Sequence, residues 1–188
     1  MYKSDRSEII WTDGDIVTIK KTSSAEIGWA VDLAAHTGLR LGDLLRLPWS
    51  CVGSDAIVIA TGKSGHRREA IVPLYDALKA VLASIPRRSP IILTNTRSRP
   101  WSRDGFSSVF SKAKIAAGMH DVDLHFHDLR GTAATRFYVA GLSERVVAEI
   151  MGWSEDHVGK IIRKYVDRAA ATRAVIRQLN ARGDGNGK

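Results

Sequence analysis

The sequence predicts an α+β domain that is mostly helical and carries a small three-stranded antiparallel sheet. Apolar residues recur at helical spacing through most of the chain. Two short β-rich runs at 56–60 and 69–73 flank a glycine-containing segment, which is typical of a hairpin. A third short apolar run at 91–93 is the candidate third strand. With 188 residues, 44% of them hydrophobic, the chain can bury a substantial core.

Helix boundaries are indicated by capping signals. Thr12, followed by Asp13 and Asp15, predicts a helix start because acidic side chains favour the positive end of the helix dipole. An apolar stripe over 27–34 predicts a helix that ends at 37–38 with a Thr-Gly pair. Further helical patterns cover 41–47, 74–84, 103–117, 127–140, 143–151 and 154–180.

The domain organisation follows from these patterns. We expect a linker or an expression-derived start over 1–10, one domain over 11–180 and a disordered, glycine-rich tail over 181–188. The single cysteine, Cys51, excludes an internal disulfide and offers no cysteine cluster for zinc, as is typical of the cytoplasm. No apolar run approaches membrane-spanning length, and no signal-peptide core is present.

The net charge of +8 points to a polyanionic partner, with nucleic acid as the first candidate. The alternative is a generally basic protein without such a partner.

The most informative stretch contains His127 and Arg130. Side chains three positions apart on a helix project from one face, so this pair could grip one phosphate. His125, two residues earlier, is expected to be a structural neighbour. A tyrosine brought beside that phosphate could attack it, and Tyr165 lies in a basic segment that suits this role. The other candidate nucleophiles are Tyr2, Tyr75 and Tyr138. Tyr2 lies in the flexible start, and Tyr75 and Tyr138 are expected to pack, Tyr138 in the core.

Three other polar features have ordinary explanations when taken singly. Arg40 could be a surface arginine or the partner of Asp43. Lys63 at the expected hairpin tip could be a solvated turn lysine. Trp153 could be a core aromatic residue.

In combination, these features resemble the catalytic domain of the tyrosine recombinases, the phage-type integrases. The matching segments are Thr-Gly-Leu-Arg-Leu-Gly-Asp-Leu-Leu at 37–45, Lys63 ahead of Ile-Val-Pro-Leu at 71–74, His-Asp-Leu-Arg-Gly-Thr-Ala-Ala-Thr at 127–135, Ile-Met-Gly-Trp-Ser at 150–154, and Tyr165. The resemblance covers residues from about 8 to about 175. It implies the DNA breaking-rejoining enzyme fold and a site-specific DNA recombinase.

The resemblance also implies a role for each site residue. Tyr165 would attack a DNA phosphodiester, giving a 3′-phosphotyrosine and a free 5′-hydroxyl that allow rejoining without ATP. Arg40 and Arg130 would stabilise the charge of the phosphorane, since each presents a planar fork of donors. His127 would be the base for the tyrosine proton, and Lys63 the acid for the leaving oxygen. No metal and no cofactor are expected.

Two departures from the family pattern stand out. Where the family most often has a second histidine, this chain has Trp153, whose indole N–H can donate to a phosphate but cannot shuttle a proton. His127 is then the only imidazole base expected beside Tyr165. The family usually carries an N-terminal DNA-clamping domain, so we expect this chain to be a catalytic domain excised from a longer protein. Asp43 would orient Arg40 or its helix, unless it is simply an acidic residue at a helix start.

Basic residues distributed along the chain would bind DNA through its backbone phosphates. The candidates are Arg67, Arg68, Arg99, Arg103 and Lys112, with Arg87, Arg88, Arg97 and Lys114 as further possibilities. The expected partners are double-stranded DNA and further copies of the chain, as a tetramer on DNA and a monomer without it. No membrane partner is expected, and the location would be the cytoplasm at the nucleoid. The C-terminal helix could dock on its own domain or on a neighbouring protomer.

Three alternatives remain open from the sequence. Ala148, Gly152 and Val158 fall at helix-turn-helix offsets, which would suit a non-enzymatic DNA-binding regulator. A type IB topoisomerase would share the chemistry. Acidic residues at 121, 123 and 128 near two histidines could also mimic a metal site.

Overall fold

The computed structural model describes residues 9–61, 69–166, 172–173 and 175–176. The helices are α1 (Asp13–Thr22), α2 (Ala25–Thr37), α3 (Leu41–Leu44), α4 (Asp76–Ser84), α5 (Arg103–Ala116), α6 (Leu129–Val139), α7 (Glu144–Met151) and α8 (Glu155–Tyr165). The strands are β1 (Ala56–Ala60) and β2 (Glu69–Pro73). The predicted mostly helical domain with a small sheet is confirmed. The helix predicted over 154–180 ends at Tyr165, and Val166 after it is extended. The expected hairpin tip, most of the stretch after residue 166 and the tail at 181–188 lie outside the described residues.

The sheet of the described residues has two strands, so the expectation of three is wrong. β1 and β2 pair antiparallel, with Val58 opposite Ile71. The run at 91–93 forms only an isolated bridge between Ile91 and Pro48. Proline has no N–H to donate, so a ladder cannot continue through Pro48.

The boundaries of the first two helices agree with the capping signals. Thr12 Oγ1 accepts a hydrogen bond from Asp15 N at 3.2 Å, and the Asp15 carboxylate accepts one from Thr12 N at 2.8 Å. This reciprocal capping box starts α1. At the other end, α2 closes at Gly38, whose φ of +64° favours glycine. The Met151 side chain lies where a Cβ of residue 38 would be.

The core is organised around α2 and α6, which pack against each other. α2 is buried along most of its length, and α6 is buried from Leu129 to Thr135. Four aromatic rings, those of Trp11, Phe106, Phe110 and Phe126, pack together beside the start of α6. This packing fixes the backbone from which the predicted site residues project.

The segment that precedes α1 also holds α6. Trp11 is 1% exposed, and its Nε1–H donates to the His125 carbonyl at 2.8 Å. Its backbone N–H donates to Thr132 Oγ1, and that hydroxyl donates back to the Trp11 carbonyl, both at 2.9 Å. The side chain of Ile10 lies over Gly131, where there is no space for a Cβ. The backbone on both sides of residues 126–130 is therefore fixed by the N-terminal segment.

A histidine–tyrosine contact joins the end of α2 to the start of α4. His36 Nδ1 and Tyr75 Oη lie 2.6 Å apart. Burial, and then the nearby Arg136 charge, lower the pKa of His36 from 6.5 to about 4. Burial raises the pKa of Tyr75 to about 12. Both side chains are therefore neutral at physiological pH.

We predict that His36 makes the fold less stable in mild acid. As the pH falls from 6.5 towards 4, the unfolded chain binds a proton that the folded His36 does not, so the free energy of unfolding falls. His36 is partly exposed, so we expect a loss of about 1–2 kcal/mol rather than the full linkage value. Urea unfolding at several pH values across this range measures it. His36→Gln should show a smaller fall, and an unchanged fall in that variant would contradict the assignment.

Candidate active site

Arg130 is the structural centre of the site. It is only 4% exposed and projects from the first turn of α6. Its Nη1–H donates to the Gly38 carbonyl, and its Nη2–H donates to the Met151 carbonyl at 2.7 Å. Both carbonyls lie at helix C-terminal ends, where backbone acceptors lack partners within the helix. One guanidinium thus joins the ends of α2 and α7 to the start of α6.

The remaining hydrogen-bonding capacity of Arg130 favours an anion. Its Nε is buried and has no hydrogen-bond partner within the described part of the chain. Burial and the neighbouring Arg40 charge lower the pKa of Arg130 to about 9, against an opposing effect of Asp43. The group therefore remains a cation at neutral pH. A buried cation with an unused donor is stabilised by an anionic ligand that reaches it.

A first cleft of about 360 Å³ opens on one side of Arg130. Arg40, the residue before α3, lines it together with Asp43 and Glu69. Asp43 is buried and accepts a hydrogen bond from Arg46 Nη2 at 2.6 Å, and Arg46 also donates to the Ala60 carbonyl. Arg40 and Arg130 are therefore brought together as predicted, and the Asp43–Arg46 ion pair ties α3 to β1.

A second cleft of about 250 Å³ also reaches Arg130. Its lining is Ile9, His127, Asp128, Arg130, Gly131, Trp153 and His157. His127 is exposed and lies in a 3₁₀ turn over 126–128, so α6 begins two residues later than the predicted start at 127. The reason is local, since the Asp128 carboxylate accepts a hydrogen bond from His125 N at 2.7 Å and caps this turn. His127 and Arg130 therefore do not lie on one α-helix, but both line this cleft.

Trp153 contacts both Arg130 and a residue that the sequence analysis missed. The Arg130 Cζ is 5.1 Å from the centroid of the Trp153 ring, a cation–π contact. The His157 ring also meets Trp153 edge-on, with centroids 4.6 Å apart. His157 also lines the second cleft. The four-residue spacing between Trp153 and His157 was the sequence signal that could have identified it.

Tyr165 does not line either of the two clefts at Arg130. It is the last residue of α8, it is 36% exposed, and it is not among the described residues that line either cleft. It follows His157 by eight residues, which corresponds to about 12 Å along a helix axis. Lys164 Nζ lies 5.4 Å from the centroid of its ring.

The candidate DNA-contacting residues divide into two groups. Arg99, Arg103 and Lys112 are exposed on α5 and the loop before it. By contrast, Lys114 Nζ donates to the Val122 and Leu124 carbonyls, so its charge holds the loop after α5. Arg87 stacks on Trp49, and Arg88 both stacks on Trp29 and pairs with Glu26. Lys63, Arg67 and Arg68 lie outside the described residues.

Two other sequence alternatives can be placed on the structure. α7, Gly152 and α8 do form a helix–turn–helix, but the Met151 carbonyl before its turn accepts the hydrogen bond from Arg130. Among the described residues, no three histidine, cysteine or acidic side chains are positioned to hold a metal ion. Within the same residues, no helix is long and apolar enough to cross a membrane.

Sequence relatives identify the family. Residues 14–171 match the family described as the phage integrase family. The integrase of Escherichia phage HK022 is 31% identical over 137 residues, which are 68% of this chain and 38% of that protein. The tyrosine recombinase XerD of Caulobacter vibrioides is 30% identical over 138 residues, which are 66% of this chain and 45% of that protein. The chain thus spans less than half the length of these two relatives.

Solved structures share the fold. The lambda integrase catalytic core aligns with a TM-score of 0.64 and 25% identity, over 76% of this chain and 90% of that one. A lambda integrase tetramer bound to a Holliday junction gives a TM-score of 0.63 and 26% identity, over 78% of this chain and 47% of that one. The expected fold class is confirmed. The chain belongs to the phage integrase family.

We predict that Arg130→Lys destabilises the fold even though it keeps the charge. A lysine cannot reach two carbonyls in a planar fork, so one helix end loses its partner at a cost of about 1–3 kcal/mol. Urea unfolding measures the change. Arg136→Lys is the control on α6, because Arg136 makes a more exposed ion pair with Asp13 and only one long hydrogen bond, of 3.4 Å, to a backbone carbonyl, that of Ala35. Equal losses in the two variants would contradict the bridging role.

Proposed function

We propose that this chain is the catalytic domain of a site-specific DNA recombinase. The observation that carries the proposal is the position of Arg130. Its guanidinium is fixed by two carbonyls between a cleft lined by Arg40 and a cleft lined by His127 and Trp153. Cationic and hydrogen-bonding groups thus surround one point at which a phosphodiester can bind.

The chemistry follows from the charges that such a site must stabilise. The Tyr165 oxygen attacks phosphorus, its proton passes to His127, and the 5′-oxygen of the DNA leaves with a proton from Lys63. Arg40 and Arg130 stabilise the negative charge that builds on the non-bridging oxygens, and fixed charge of this kind is usually the largest catalytic contribution. The phosphotyrosyl bond conserves the energy of the diester, so attack by another 5′-hydroxyl rejoins the DNA without ATP. We propose that no metal takes part.

Tyr165 must approach Arg130 for this reaction. Its place at the C-terminal end of α8, about two helical turns beyond His157, supports a rearrangement of this end of the helix when DNA binds. The approach could occur within one protomer or between neighbours. In both cases the helical part of α8 near His157 stays beside the clefts while its C-terminal end changes position.

The proposed partners are double-stranded DNA and three further copies of the chain. A lambda integrase tetramer on a Holliday junction is among the similar structures. Arg99, Arg103 and Lys112 would contact backbone phosphates, together with Arg67 and Arg68, and Asp43 would support the site through Arg46. We propose a monomer without DNA and action on the nucleoid in the cytoplasm.

We predict that Tyr165→Phe abolishes covalent attachment to DNA. The protein is incubated with a library of nicked duplexes of varied core sequence, so that cleavage releases a short fragment and traps the adduct. Denaturing gels then count protein bound covalently to DNA, and sequencing identifies the trapped site. Tyr138→Phe is the matched control, because Tyr138 is a half-buried residue of α6 that packs against the core.

Other outcomes would replace the proposal. Sequence-specific binding without an adduct, on a site where strands are accessible, would favour a DNA-binding regulator. Adducts formed without sequence preference, with relaxation of supercoiled plasmid, would favour a type IB topoisomerase. An adduct that persists in Tyr165→Phe would assign the nucleophile to another residue.

A further inference from the structure

His157 is the one imidazole in the second cleft that the proposed chemistry leaves without a task. It lies in the first turn of α8, where its backbone N–H donates to the capping Ser154 hydroxyl at 3.3 Å. Its ring meets Trp153 edge-on at 4.6 Å, and the same indole stacks on the Arg130 guanidinium. The Trp153 ring is therefore in contact with both the buried arginine and this histidine.

The ring of His157 has hydrogen-bonding capacity to offer. Among the described residues, none forms a hydrogen bond with either of its ring nitrogens. The residue is only half-buried and lines the cleft shared with His127 and Arg130. If the ring served only to pack against Trp153, a phenylalanine would serve equally well, because edge-to-face packing needs no ring nitrogen.

The cleft has room for a phosphate group. A water occupies about 30 Å³ of the liquid, so a cleft of about 250 Å³ holds a phosphate with several waters. The lining combines the side chains of His127, Arg130 and His157 with the apolar surface of Ile9 and Trp153. A phosphate that contacts the free donors of Arg130 here comes within reach of both imidazoles.

We propose that His157 is a second imidazole of the phosphate site. One ring N–H donates a hydrogen bond to a non-bridging oxygen of the phosphate that Arg130 holds, while the ring edge keeps Trp153 stacked on Arg130. The inference rests on the proposed function, because it takes a phosphodiester as the occupant of this cleft. It corrects the expectation that His127 is the only imidazole of the site.

The charged surroundings of His157 set its response to pH. His127, Asp128 and Arg130 line the same cleft. Its own helix carries Glu155, Asp156 and Lys160, and Glu144 of α7 lies near Gly159, two residues further along on a different face of α8. The Asp128 carboxylate is already hydrogen-bonded to His125 N. A bound phosphate adds negative charge beside His157, and this charge favours the protonated imidazole.

The first test uses inorganic phosphate as the probe and needs no DNA. Side-chain nitrogen spectra of the histidines are followed through a pH titration with and without phosphate. We expect the pKa of both His127 and His157 to rise with phosphate, while exposed His120, paired with Asp121, stays unchanged. A pKa of His157 that does not respond while that of His127 does would overturn the inference.

The second test separates packing from hydrogen bonding. His157→Phe keeps an aromatic edge against Trp153 but removes the N–H, and we expect the rate of adduct formation to fall about 10²-fold, as for loss of one transition-state donor. His157→Gln, which restores a donor, should recover part of the rate. His120→Phe is the control, and circular dichroism and urea unfolding confirm that each variant folds.

The outcomes distinguish the two proposals. If the wild-type chain forms no adduct on any site, the proposed function fails and the phosphate titration alone decides the role of His157. If the wild-type chain forms the adduct and His157→Phe matches its rate across the pH range, the function stands and the inference fails.

Discussion

The bridge from the Arg130 guanidinium to two backbone carbonyls is the interaction on which the rest of the site depends. The carbonyls of Gly38 and Met151 come from helices far apart in sequence, and α6 supplies the cation that joins them. A buried charge is costly unless it is hydrogen-bonded. Losing either hydrogen bond of Arg130 would therefore destabilise the fold. The same bridge leaves the buried Nε of Arg130 without a partner among the described residues, and Arg40, His127 and Trp153 line the two clefts around this guanidinium.

Small residues make the bridge possible. Gly38 allows α2 to end in a left-handed turn directly against Met151, and Gly152 ends α7 in the same conformation with φ of +64°. A larger side chain at residue 38 would displace Met151, whose carbonyl Arg130 needs. The sequence positions that looked like simple helix stops are therefore also close contacts between elements of the site.

Local signals predicted more of the fold than of the site. The capping box at Thr12, the glycine after α2 and both strands were readable because each depends on neighbouring residues. The third strand was not, because an apolar run does not reveal that its only partner would be a proline. Likewise, Lys114 looked like a phosphate contact because the loop carbonyls that bind it are set by tertiary packing.

The site residues show the same difference between features set by neighbouring residues and features set by tertiary packing. The motif around His127 and Arg130 predicted their common cleft, but sequence order could not show that Trp153 is shared between Arg130 and His157. The sequence also could not show that Tyr165 lines neither cleft, since this depends on where α8 ends and how it packs. Residues whose role comes from a contact across elements are those that a linear pattern conceals.

The hydrogen bonds of Trp11 couple the position of the N-terminal segment to that of the site residues. Because Trp11 is hydrogen-bonded to the His125 carbonyl and to Thr132, a displacement of residues 9–11 would be carried to both ends of the segment that holds His127 and Arg130. Ile9, at the rim of the second cleft, would move with it. The N-terminal segment is therefore bonded to the element that carries His127 and Arg130 rather than to a remote surface.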